Sequence, residues 1–106
     1  GGMLHAFSGP AELIARFVKL GFLFSFGGLV TRPEARRWRR AATAVPAGHL
    51  LVESDTPDHP PVGAGALSEP ADVVSTLAVL AELRGVDAQA LAQQTAANAL
   101  QLLQLA

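Results

Sequence analysis

The chain has 106 residues, half of them hydrophobic and 16% charged, with a formal net charge of −1. That length accommodates one small domain, and so much apolar residue excludes an intrinsically disordered chain. A charge so near zero carries no general nucleic-acid or membrane signature, the lack of cysteine excludes disulfides and thiolate ligands, and no apolar run reaches the ~18 residues of a membrane span.

The first residues lack the basic region and apolar core of a signal peptide, so a cytoplasmic protein is the expectation. Gly2 to Phe7 reads instead as a short buried strand. Gly9-Pro10 starts a helix, because proline suits a first helical position and Glu12 suits the positive end of the helix dipole. Leu13, Ile14, Phe17, Val18 and Leu20 recur at helical spacing, and Gly21 is the predicted stop. Phe22 to Phe26 is a second strand, closed by Gly27-Gly28. Thr31 and Glu34 are spaced as a capping box for a helix from about Pro33 to Thr43. Pro46, Gly48 and His49 mark a loop before a third strand, His49 to Ser54.

The stretch from Thr56 to Glu69 is rich in proline and glycine and reads as a long loop, a type that is usually functional. Pro70 opens a helix to about Arg84, with Val73, Val74, Leu77, Leu80 and Leu83 as its expected buried stripe, and Gly85 stops it. Asp87 caps a last helical region from Ala88 to about Leu105, with an interruption expected near Asn98. The order β-α-β-α-β-loop-α-α implies an α/β fold with a parallel sheet. The strand spacing is close to the repeat of a TIM-type barrel, in which roughly 250 residues make eight units. Three units leave sheet edges and one face uncovered, so the chain reads as the last part of a larger barrel domain, with self-association through those surfaces as a competing expectation.

Two residues stand where such a barrel delivers ligands to its C-terminal rim. His5 opens the turn His5-Ala6-Phe7-Ser8-Gly9, and Asp55 ends the strand Leu50-Leu51-Val52-Glu53-Ser54-Asp55. An imidazole and a carboxylate suit a divalent ion (Mg, Mn or Zn), whose role is to make water a nucleophile near neutral pH. Taken singly, a hydrogen-bonded turn histidine and an aspartate cap before Pro are the blander and commoner roles. Glu53 lies on the same side of its strand as Asp55. It can orient a ligand there or serve as a buried structural carboxylate, and both readings stand open.

The turn at His5, the Phe24-Ser25-Phe26-Gly27-Gly28 strand end, the Leu51-Val52-Glu53-Ser54-Asp55-Thr56-Pro57 strand end and Ser68-Glu69-Pro70 occur in this order. Together they resemble the TatD family of metal-dependent hydrolases and deoxyribonucleases, whose segments read like His-Cys-Phe-Ser-Gly, Glu-Thr-Asp-Ala-Pro and Asn-Glu-Pro. The ending, Leu83-Arg84-Gly85 and then Thr95-x-x-Asn98-Ala99-x-x-Leu102, is similar too. The likeness covers essentially the whole chain. It implies a TIM-type (β/α)8 barrel of which this chain holds the last three βα units, a site for one or two divalent metals, and hydrolysis of phosphodiester bonds in DNA. It implies further that His5 is a metal ligand from the sixth strand. Asp55 would be a metal ligand from the eighth and the catalytic residue that orients or deprotonates water. Glu69 more naturally fixes the loop and helix start.

The sequence departs from the family pattern in several places. The family's His-x-His, its middle-strand Glu and its fifth-strand His have no counterpart here. Ser68 replaces an Asn, and Asp58 follows the Pro where many members carry an aromatic. The chain alone is therefore expected to be inactive, since two ligands cannot hold a catalytic ion in an open, defined geometry. A non-catalytic remnant with a partner chain, or the same barrel acting on another ester or amide, are the alternatives.

Five of the eight basic residues, Arg32, Arg36, Arg37, Arg39 and Arg40, fall within nine positions. Arg32 follows the second strand, the seventh of a completed barrel, where loops often bind phosphate. It is the candidate for the substrate backbone, with a solvated role equally open. The other four run around a helix and are expected to be mainly a solvated face, with Trp38 as packing. Ser8 and Ser25 have no histidine placed to activate them as nucleophiles, and no Gly-x-Ser-x-Gly elbow is present.

Overall fold

A computed structural model describes residues 2–5, 7–53 and 73–104. The elements are β1 (Gly2–His5), α1 (Ala11–Lys19), β2 (Phe22–Phe26), a 3-10 turn (Gly28–Thr31), α2 (Arg36–Ala44), a second 3-10 turn (Ala47–His49), β3 (Leu50–Val52), α3 (Val73–Arg84) and α4 (Ala88–Gln104). The expected long loop, with Asp55, Asp58, His59, Ser68, Glu69 and Pro70, lies outside the described residues.

The three strands form a parallel sheet in the order β1-β2-β3. Leu4, Phe24 and Leu50 are in register across it. With Phe26 and Val52 they present one face to the helices, where Ile14, Val30, Ala41, Ala42, Val45, Leu80, Ala81 and Leu91 complete the core. The opposite face carries Met3, His5, Ser25, Leu51 and Glu53, because side chains alternate along each strand. Met3 is 38% exposed, so this face is open at β1. α2 packs between α1 and α3, and α4 packs against α3, β3 and the turn before β3.

Several local expectations need correction. Pro10 stands just before α1 and leaves no side-chain cap. α2 starts at Arg36 with Ala35 before it, so the Thr31–Glu34 capping box does not form. The Thr31 hydroxyl instead donates to the Gly28 carbonyl at 2.7 Å, held in the 3-10 turn that precedes the helix. His49 belongs to the second 3-10 turn, so β3 spans three residues only. Val74 is exposed and Thr76 is buried on α3, which shifts its inner stripe to Thr76, Leu80 and Ala81. α4 runs through Asn98 without a break. The stops hold: Gly21 and Gly85 take φ of 83° and 66°, the left-handed region that glycine enters without a Cβ penalty. Asp87 caps α4 as expected, its carboxylate accepting from the Ala90 amide at 3.0 Å.

A polar clamp fixes the outer edge of β3. Asn98 is 3% exposed, and its Nδ2 donates to the Ala47 and Leu50 carbonyls, each at 2.8 Å. Its Oδ1 accepts from Gln94 Nε2 at 2.9 Å. On the other side, His49 Nδ1 donates to the Phe22 carbonyl at 2.8 Å and ties the strand's entry to β2. Arg84 Nη1 reaches from α3 to the Ala42 and Val45 carbonyls at the end of α2, both at 2.7 Å.

Candidate metal centre

His5 ends β1 and Glu53 follows β3, two strands apart in the sheet. The register places His5, Ser25 and Leu51 side by side on one face, and Glu53 lies two residues beyond Leu51 on that same face. Backbone pairing continues past β3, since the Glu53 amide donates to the Phe26 carbonyl at 2.9 Å. The central position of the row is Ser25, a small residue that lets the flanking side chains meet above β2. His5 Nδ1 donates to Glu53 Oε2 at 2.8 Å. The imidazole is 63% exposed, whereas the glutamate side chain is only 14% exposed.

This bond decides the chemistry of the imidazole. With the proton on Nδ1 and held by a carboxylate, neutral His5 carries its lone pair on Nε2, the form a metal-ligating histidine takes. The other carboxylate oxygen, Glu53 Oε1, is buried and meets no hydrogen-bond partner among the described residues. A buried anionic oxygen in that state is costly and favours a nearby cation or water. The donor set therefore fits a divalent ion with His5 as ligand and Glu53 as the carboxylate that orients it. Among the described residues no group of three or more His, Cys, Asp or Glu side chains gathers.

The turn after β1 is anchored by aromatic packing. Phe7 meets Phe24 and Phe17 edge-on, with ring centroids at 5.2 Å and 6.3 Å. Gly9 is required beneath it: a Cβ there would lie 2.5 Å from Phe7 Cζ. Phe7 and the residues after it, up to Gly9, are thus held by the core.

Asp55 lies outside the described residues. Arg32 sits half-buried just after the first 3-10 turn. The strand pattern of the sequence puts Glu53 on the side of Asp55 and carries no direct sign of a pairing with His5. The pairing follows from the cross-strand register, which a sequence carries only indirectly. The arginines divide by role: Arg39 donates to the Val30 and Thr31 carbonyls at 2.9 and 3.0 Å, and Arg37 Nη2 donates to Ser8 Oγ at 3.3 Å. Trp38 packs against the core, as expected.

The profile of the family described as TatD related DNase matches residues 1–104. The chain belongs to the TatD family. It is 41% identical over 99 residues to the Escherichia coli K12 protein named uncharacterized metal-dependent hydrolase YcfH, covering 92% of this chain and 37% of that protein. Bacillus subtilis YabD, named in the same way, is 33% identical over 108 residues, covering 99% of this chain and 42% of YabD. The crystal structure of the E. coli TatD homologue YjjV superposes with a TM-score of 0.83 at 35% identity, over 95% of this chain and 39% of that one. A TatD family hydrolase of Entamoeba histolytica, at 12% identity, shares the fold with a TM-score of 0.80, over 95% of this chain and 41% of that one. This TatD chain thus spans about two fifths of the length of these relatives. Its parallel α/β architecture is that of the TatD barrel structures. No helix among the described residues is long and apolar enough to cross a membrane.

Proposed function

We propose that this chain forms the last three βα units of a TIM-type barrel that hydrolyses phosphodiester bonds in DNA with a divalent metal. The observation that carries the reading is the His5–Glu53 bridge at the strand ends, with its lone pair set on Nε2 and an unsatisfied carboxylate oxygen beside it. The names of the relatives support metal-dependent hydrolysis, and the family's description supports DNA as substrate.

His5 supplies a ligand nitrogen, and Glu53 holds the ring in place and in the correct tautomer. We assign Asp55 as a second ligand and as the acceptor of the proton lost by the attacking water. When bound, the ion lowers the pKa of water and neutralises charge developing on the phosphate. Arg32 is assigned to the substrate backbone, where a guanidinium gives affinity without sequence preference. The open face of β1 is covered by the additional barrel units that the relatives' greater length represents.

The test uses the complete barrel protein, with metal content measured beside cleavage of a DNA strand. Wild type should bind Mg, Mn or Zn and release nucleotides. Glu53→Gln, which cannot accept the His5 proton as a carboxylate does, should lose about 10- to 100-fold in metal affinity. A fully metal-loaded wild type that leaves DNA intact would refute the nuclease assignment. Unchanged metal affinity in the variant would refute the role given to Glu53.

A further inference from the structure

Beside the turn that follows His5 lies a cavity of about 310 Å3, between the start of α1 and the exposed side of α2. Ser8, Gly9, Ile14, Ala41, Arg37 and Arg40 line it. Among the described residues the only ion pair is His5–Glu53, so neither arginine has a carboxylate partner there. Arg37 and Arg40 are three residues apart on a helix and share one face, an arrangement that like charges disfavour unless an anion offsets it. Other arginines of this chain are used differently. Arg39 and Arg84 donate to backbone carbonyls, and Arg36 is exposed and does not line the cavity.

We propose that this cavity is a second phosphate site, which holds the backbone of a polynucleotide a few residues away from the bond cleaved at His5. The inference rests on the phosphodiester reading above and extends it to a subsite. Three features carry it. The two guanidiniums supply donors that suit phosphate oxygens. The Ser8 hydroxyl, already within reach of Arg37 at 3.3 Å, adds a neutral donor. Ile14 and Ala41 are buried at the wall and offer apolar contact for a sugar or base edge. The volume is at the lower end of that of small-ligand pockets, which suits a single nucleotide unit. Ser8 is three positions from His5, so their Cα atoms lie within about 11 Å of each other. That separation corresponds to a few nucleotide units of a strand, so one strand is long enough to engage His5 at the strand end and the cavity beside the start of α1.

The experiment is binding of a labelled single-stranded oligonucleotide to the complete protein, titrated at several salt concentrations in chelator so that no strand is cut. Arg37→Ala and Arg40→Ala should each weaken binding on the order of tenfold and lower the salt slope by about 0.7. Arg36→Ala, which removes the same charge one residue outside the cavity, should stay within about twofold of wild type. All three sites are exposed and alanine is a good helix former, so folding is preserved. Equal losses in all three variants would reduce the effect to net charge and overturn the site. So would no loss at Arg37 and Arg40, or a wild type that binds no oligonucleotide. If the selective loss appears while the metal-loaded enzyme leaves DNA intact, the phosphate site stands and the catalytic reading falls.

Discussion

Replacing Asn98 by alanine should destabilise the protein by about 2–4 kcal/mol. The figure follows from what the side chain holds. Its Nδ2 donates to two carbonyls at 2.8 Å, and the residue is 3% exposed. The bond to Leu50 is buried, so losing it costs the full ~1–3 kcal/mol of an unsatisfied group. The bond to Ala47 is partly buried and costs less, near the ~1 kcal/mol of an ordinary net hydrogen bond. Asn98→Asp keeps the volume but turns the donor into a carboxylate facing two carbonyl oxygens, so it should be worse than alanine. Gln94→Ala removes only an exposed donor to Oδ1 and should cost about 0.5–1 kcal/mol. Urea unfolding at matched m-values measures all three. A loss below about 0.5 kcal/mol for Asn98→Ala, or an aspartate variant no worse than alanine, would show that the clamp does not hold the edge of β3.

Three further outcomes are expected. Gly9→Ala drives a methyl to 2.5 Å from a Phe7 ring already wedged against Phe17 and Phe24, and should cost about 1–3 kcal/mol, read as a fall in the unfolding midpoint. Arg84→Leu strips two 2.7 Å bonds from the end of α2. Burial already lowers the Arg84 pKa by disfavouring its charged form, so the expected loss is a net ~2 kcal/mol, again by denaturation, and a neutral or stabilising result would mean that desolvation outweighs the bonds. Ser25→Leu places bulk under the His5–Glu53 bridge at a position 1% exposed. It should lower metal affinity about as much as Glu53→Gln and abolish the downfield Nδ1 proton resonance of His5, whereas Ser25→Ala should keep both.

Much of the fold was legible because its signals are local. The strands are short apolar runs, and the glycine stops and the Asp87 cap act through their own backbone. The failures share a cause, since each is a competition that another part of the chain decides. Thr31 has the right spacing for a capping box, yet its hydroxyl is taken by a carbonyl of the preceding turn. Val74 is more apolar than Thr76, but α3 meets α2 and the first 3-10 turn on the side where Thr76 stands. A polar Asn98 in mid-helix suggests a break, and instead it is retained because an edge strand needs its amide. At the site, His5 and Glu53 were both visible as candidates. Their bond was not, because it spans two strands and depends on the size of the residue between them. Ser8 and Arg37, 29 positions apart, met only in the fold.

The site is also asymmetric in how it is supported. β1 is an edge strand of four residues with an unpaired side among the described residues and an open face at Met3 and His5. Such a strand is expected to be the least secure member of the sheet. His5 and the residues after it are nevertheless held at two points by other elements: Glu53 fixes the imidazole from β3, and Phe7, two residues on, is fixed by the aromatic cluster of α1 and β2. β3 in turn is fixed by His49 towards β2 and by Asn98 towards α4. The geometry of His5 therefore depends on contacts made within this chain. In the barrel proposed above, further units would supply ligands and cover the face of β1, but would not be needed to orient His5. On that argument a variant that loosens Asn98 should disturb the His5–Glu53 bond from the far edge of the sheet, while the aromatic anchor of the β1 turn remains.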